Sequence, residues 1–349
     1  MSFRSEKHGK YILRPAVYSD NDDIREIFES GSFAGGLNVQ FLRGPKPLAS
    51  FAADGDRAYI IAAEDTEKGK VIAIGGAVVQ TLFLDGTPAE CAYLTGLKVH
   101  HDYRGKLAFI PRAYGIIGKT VSGCAATYTT ILDGNQGVIR MLEKRRKNMP
   151  EYRCIGHYTT FCLGRGKSVI PVETDNMTGF DRIVARYFSG KALAPCSTEY
   201  KGFGSKRFYC LRDSSGDIES CCFIGDQSAS KYYRMCSYGG IYRAVSHLPT
   251  AMFGYPAFPV SGEIIKNGII SFLYVRDNDH KLCSAFLRSA AYASGFPMLL
   301  WGGEENDPLC CAVGKMRTVR YGSRLYEVLW DGAADTHING VVGMEAALL

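Results

Sequence analysis

Arg104, Gly105 and Lys106 stand together just after an apolar run that ends Leu97-Lys98-Val99. Two cationic side chains around a glycine suit an anion: the charges attract it, and the missing Cβ lets main-chain amides come close. Pro111 sharpens the reading, because proline is comfortable inside a helix only in the first turn. A helix N-terminus therefore falls at about residues 107–109, where unpaired amides and the helix dipole add to the attraction. The expected ligand is a diphosphate held by Arg104, Gly105, Lys106, Leu107 and Ala108. Main-chain N–H groups at Leu97 and Val99 would bond a carbonyl oxygen and steady negative charge growing on it. Glu90 and Tyr93, nearer the start of the same run, are the candidate bases, acting on an amine directly or through one water. Their plainer readings are an exposed residue beside a hairpin and a half-buried strand aromatic.

Other groupings carry less chemistry. Asp133 and Asn135 follow the next apolar run and suit the N-cap of a helix. His100-His101 lacks a third ligand at metal-binding spacing, and no metal is expected. The basic run at residues 144–147 reads as a helix end meeting solvent. Asp277-Asn278-Asp279 reads as a turn, and Gly202 to Lys206 is too short for a phosphate-binding P-loop. The twelve cysteines include no C-x-x-C pair and read as reduced core residues.

These residues need a scaffold to position them. The chain has 349 residues, 46% apolar and 22% charged, enough for two globular units with ordinary cores. A net charge of +6 fits an anionic ligand and is too dispersed for nucleic acid. No apolar stretch reaches the ~18 residues of a membrane span, and the polar start at Met1 to Lys10 points to the cytosol. In the first half, a strand at Tyr11 precedes a helix with Ile24, Ile27 and Phe28 at i, i+3, i+4. Strands follow at residues 58–63 and 71–84, then a tight turn at Asp85-Gly86 and a returning strand from Cys91 to Val99. A helix at 109–121, a strand at 127–132, a helix at 136–146 and a pair of strands within 152–163 complete it. The second half partly repeats this order. The expected division is 11–166 and 178–333, joined by a linker at 167–177, with a tail at 334–349 that adds little to either core.

The segment from Tyr93 through Leu97, Val99, His100 and Arg104 to Lys106 resembles the GNAT N-acyltransferase motif, in which a strand runs into a phosphate loop and a helix. Ile131-Leu132-Asp133-Gly134-Asn135, with Met141-Leu142-Glu143-Lys144, is similar to the family's next strand and helix. The order of elements from Tyr11 to Leu163 resembles a whole GNAT domain, and the second half looks like a diverged copy. Asn306-Asp307-Pro308-Leu309 and residues 321–330 resemble the ending of tandem members. The resemblance implies an α/β (α+β) fold of two GNAT-like domains, each a mixed, largely antiparallel twisted sheet flanked by helices. It also implies acetyl-CoA as co-substrate, with Asn135 contacting the coenzyme, and an amine acceptor on a small molecule or peptide. Nucleic acid and membrane are not expected partners. The sequence departs from the pattern at Leu107 and Phe109, where the family's loop carries glycines. It departs again at Leu142, in place of a helix tyrosine, and at Tyr93, in place of a strand glutamate. Two readings stand: an N-acetyltransferase, and a non-catalytic acyl-CoA-binding or interaction protein.

Overall fold

A computed structural model describes residues 4–31, 36–105, 108–144, 146–330 and 338–349. Lys106, Leu107 and Arg145 lie outside the described residues. In the first half the strands are β1 (Glu6–His8), β2 (Tyr11–Pro15), β3 (Leu37–Arg43), β4 (Arg57–Asp65), β5 (Lys70–Leu84), β6 (Thr87–Val99), β7 (Ala126–Leu132) and β8 (Glu151–Gly164). Its helices are α1 (Asn21–Glu29), α2 (Pro47–Ala52), α3 (Ile110–Val121) and α4 (Gln136–Glu143). The second half adds β9 (Glu173–Thr174), β10 (Ala194–Pro195), β11 (Ser205–Arg212), β12 (Ile218–Asp226), β13 (Lys231–Tyr238), β14 (Gly268–Val275), β15 (Met298–Glu304) and β16 (Thr318–Leu329). It also carries α5 (Phe180–Ile183), α6 (Ile241–Val245), α7 (His280–Ser294) and α8 (Pro308–Gly314).

Fourteen strands form one sheet in the order β1-β2-β4-β5-β6-β7-β16-β8-β15-β14-β12-β11-β9, with β10 on β5. The centre of that order records an exchange. β16, the last strand of the second half, lies between β7 and β8, and β8 lies between β16 and β15. Each half thus closes its sheet with the other's final strand. Parallel pairs occur at β6–β7 and β14–β15, related across the exchange; the other pairs in the sheet are antiparallel.

One face of the first half packs against α3 and α4, through Ala92, Leu94, Ile110, Tyr114, Ile139 and Leu142. The opposite face takes α1 and α2, where Ile24, Ile27 and Phe28 are buried as the helical spacing predicts. Over that face lies a two-stranded ribbon of β3 and β13, one strand from each half. A buried ion triad ties the ribbon down. Asp54 Oδ2 takes Arg43 Nη1 at 2.6 Å, Asp54 Oδ1 takes Lys231 Nζ at 3.0 Å, and all three side chains are at most 5% exposed. Lys231 also donates to the carbonyls of Ala347 and Leu349, at 3.0 and 2.8 Å.

Two sequence expectations change here, and three elements are added. The pair of strands within 152–163 is the single strand β8; Gly156 marks a bulge against β16, where the register slips at Leu325/Tyr326, and not a turn. The ribbon strands and α2 carry no clear periodicity and were not foreseen. The tail, expected to add little, buries Val342, Met344, Ala347 and Leu348 in the centre of the molecule. Its small residues make this possible: a Cβ on Gly343 would stand 2.7 Å from the Cβ of Ala194.

Removing the shared carboxylate would leave two buried cations unpaired. D54A is expected to lower unfolding free energy by about 3–5 kcal/mol in urea titrations; a loss under about 1 kcal/mol would show that the triad is not a structural tie.

Candidate functional site

The β6–β7 ladder is short. Cys91, Ala92 and Tyr93 pair with Ala126, Thr127 and Tyr128, and there it stops. Two side-chain bonds close the apex: Thr129 Oγ1 donates to the Leu94 carbonyl at 2.8 Å, and the Tyr93 and Thr130 hydroxyls meet at 2.9 Å. Beyond, β6 stays with β5 while β7 stays with β16 from Tyr128 to Leu132. The two strands part, leaving a wedge lined by Leu97 to Val99 on one side and Ile131 to Leu132 on the other.

A bulge in β6 turns main chain toward that wedge. Lys98 pairs with Ile74 and Thr95 with Gly76, so Gly96 and Leu97 together face only Gly75. Such a bulge leaves a residue outside the ladder, its peptide groups available to a ligand. Gly96 allows it: its φ is +71°, and a Cβ there would lie 2.8 Å from the Phe51 ring. Leu97 is 43% exposed at the mouth of the wedge.

At the open end the chain makes a single turn, His101–Tyr103, passes exposed Arg104, and turns at Gly105 with φ +87°. Helix α3 follows with Pro111 in its first turn, and no side chain caps it. Pro111 has no N–H, and those of Arg112 and Ala113 bond the Phe109 carbonyl at 3.1 Å; among the described residues the amides of Ala108 to Ile110 have no recorded acceptor. Phe109, at a family glycine position, does not obstruct them: its ring is 3% exposed and meets Tyr11 edge-on at 5.4 Å, inside the core.

The structure therefore gathers Leu97, Val99, Arg104, Gly105 and Ala108 along one side of the wedge. Asn135 stands across it, exposed at the start of α4, with no side-chain cap bond. Tyr93 sits at the apex. Burial pushes its hydroxyl up to about 12, so it keeps its proton at neutral pH. Glu90 lies elsewhere. It precedes the ladder at the closed end, about 23 Å along the strand from Leu97, and pairs with Arg57 at 2.7 Å.

Two further residues were missed or misassigned in the sequence. Asp133, read as a helix cap, caps nothing: its carboxylate lies against Gly322, and its Oδ1 is buried with no partner among the described residues. Only the exchange of β16 brings Gly322 there, and local sequence carries no sign of that. Lys98, inside the motif strand, donates to the Phe28 carbonyl at 2.6 Å; burial, with Arg104 nearby, lowers it to about 8. His100, His101 and Asp102 gather ligand atoms within 4.8 Å of one another. His101 already meets Asp102 at 2.9 Å, and His100 meets Glu26 at 3.3 Å.

No family model matches the sequence, and no curated protein matches it. Solved structures do. N-myristoyltransferase from Saccharomyces cerevisiae with bound myristoyl-CoA matches at TM-score 0.57 and 11% identity, covering 93% of this chain and 83% of that one. A second structure of that enzyme with bound myristoyl-CoA gives 0.58 at 11% identity, covering 97% and 86%. A GCN5-related N-acetyltransferase from Sphaerobacter thermophilus gives 0.52 at 12% identity, covering 92% and 96%. The chain has the GNAT fold. Its mostly antiparallel sheet flanked by helices, with a wedge between two parallel central strands, is the tandem arrangement the motif resemblance implied. Among the described residues, no helix is long and apolar enough to cross a membrane.

The GNAT wedge occurs twice in this chain, and the second is filled. β14 and β15 pair only at Gly268–Leu299 and Ile269–Leu300 before parting. Glu345 enters there, accepting from the Phe272 N–H and from the Tyr200 hydroxyl, and Ala347 packs on Ile269 and Leu300. Helix α7, which follows β14 as α3 follows β6, is capped by Asp279, whose Oδ1 takes the Lys281 and Leu282 amides at 2.7 and 2.9 Å.

A lysine that binds fewer protons folded than unfolded makes stability rise with pH between its two pKa values, here from about 8 to 10.5. Below that window its burial is a cost. K98M is thus expected to raise stability at pH 7 by about 1 kcal/mol, with the gain fading as pH rises through this window. Urea unfolding at pH 7 and pH 10 checks this; an equal effect at both would contradict it.

Proposed function

We propose that the protein is an acyl-CoA-dependent N-acyltransferase that moves an acetyl group directly to a primary amine on a small molecule or peptide. The single observation that carries the reading is the β6–β7 wedge, which none of the described residues fills as Glu345 and Ala347 fill the second, and which ends at Arg104 and the uncapped start of α3. Arg104, Gly105, Lys106, Leu107 and Ala108 would hold the diphosphate, with Asn135 across the gap. Asp133 Oδ1 is a ready acceptor for an amide N–H of the pantetheine arm. An acetyl group is favoured over a long chain by the closed apex: the Tyr93 and Tyr128 rings lie 5.2 Å apart, and Leu82, Cys91 and Leu348 pack behind them.

The amine nitrogen attacks the thioester carbonyl carbon, and the C–O π electrons move onto oxygen. Amides around Leu97 and Val99 stabilise that oxyanion. Its collapse breaks the C–S bond, and the departing thiolate takes a proton from the Tyr93 hydroxyl, which Thr130 helps to orient. Tyr93 thus serves as acid, and the proton the amine loses passes through water to the Tyr93 phenolate, which restores the hydroxyl. Glu90, at the closed end, has no part in this.

Thiol release from acetyl-CoA across a panel of primary amines tests the proposal. Y93F is expected to lower kcat at least ten-fold with little change in KM, and R104A to raise the KM for acetyl-CoA about ten-fold, or ~1.4 kcal/mol. Coenzyme binding without release for any amine would favour the non-catalytic reading; no binding would overturn both.

A further inference from the structure

The segment between β13 and β14 has no counterpart in the first half, where the hairpin Asp85-Gly86 joins β5 directly to β6. Within it Ile241, Leu248, Met252, Phe253, Val260 and Ile264 are each half exposed or more. Residues 239–264 include a single acid, Glu263, against Arg243 and His247. So much exposed apolar surface in one short stretch of a folded chain marks a place where something binds.

The stretch is not loose. Tyr238 donates to the Pro259 carbonyl, and its ring meets Phe258 at 5.6 Å. Tyr242 meets Phe258 at 6.0 Å, Thr250 Oγ1 donates to the Pro256 carbonyl at 2.8 Å, and Arg317 donates to the Phe253 carbonyl. Between this wall and the start of β16 is a cavity of about 380 Å³, lined by Tyr242, Val245, Phe253, Phe258, Val319 and Arg320 among others. That volume is in the range of small-ligand sites. Arg320 is exposed and has no carboxylate partner among the described residues. An aromatic-walled cavity with one uncommitted guanidinium matches a ligand with an apolar ring and an acid group, which arginine takes with two parallel bonds.

The cavity opens beside the wedge. Gly322 accepts from the Asp133 N–H at 3.0 Å, at the end of β7, and Arg320 is two residues earlier on the same strand, about 7 Å away. Its Tyr242 wall leans on Gly36, between α1 and β3, on the face opposite α3 and α4. We propose that this cavity is a subsite for the acceptor, and that the acceptor amine carries an aromatic or bulky apolar group together with a carboxylate. The assignment rests on the transferase reading for the word acceptor, but the binding it asserts does not.

Calorimetry on the full chain, with 3-phenylpropionate and its uncharged amide as probes, tests it. The acid is expected to bind at millimolar strength, at least ten-fold more tightly than the amide. R320Q, at an exposed position, should remove that preference and leave amide binding unchanged, and V245W should fill the cavity and abolish both. Adding CoA should leave the acid bound. Equal binding of acid and amide to the wild type, unchanged binding to R320Q, or displacement by CoA would each overturn the proposal. If the acid binds as described while acetyl-CoA does not bind at all, the cavity stands and the transferase reading falls.

Discussion

Everything at the centre of this molecule depends on a parallel strand pair that is allowed to hold for only three residues. Parallel strands normally continue together, because each added pair satisfies more backbone groups. Here β6 and β7 each have a better partner on the outer side. β6 keeps β5 through a bulge at Gly96 and Leu97, and β7 keeps β16 to its end at Leu132. The resulting wedge exposes main-chain polarity that would be costly to bury unpaired and useful to a ligand that pairs with it.

The strand exchange makes the wedge a property of the whole chain. Because β16 supplies the outer partner of β7, the second half holds open a site made of first-half residues. The same exchange produces a second wedge at β14 and β15, and the tail occupies it. Burial there raises Glu345 to about 7, against the bonds from the Phe272 amide and the Tyr200 hydroxyl, which lower it. The Arg43–Asp54–Lys231 triad binds that tail, which fills the second wedge, to the ribbon joining both halves.

Much of the first half was legible because its signals are local. The spacing of Ile24, Ile27 and Phe28, the Asp85-Gly86 turn and Pro111 after Arg104-Gly105-Lys106 each report on a few neighbouring residues, and each element lies where they point. The turn at Gly105 and the helix start behind it were readable for the same reason. What could not be read depends on contacts between distant residues. Asp133 is a cap by local rules and becomes an unpaired carboxylate only through Gly322, nearly two hundred residues later. Glu90 and Tyr93 lie three residues apart, yet the end of the β7 ladder falls between their roles. The tail looked weak because its residues are small, and small residues are what a crowded interior admits.

Hydrogen–deuterium exchange with and without acetyl-CoA reads the central claim most directly, since it reports on the amides themselves. The account requires slowed exchange at residues 94–99 and 108–110, with residues 268–275 and 299–304 unchanged. Protection in the second wedge, or in neither, would contradict it.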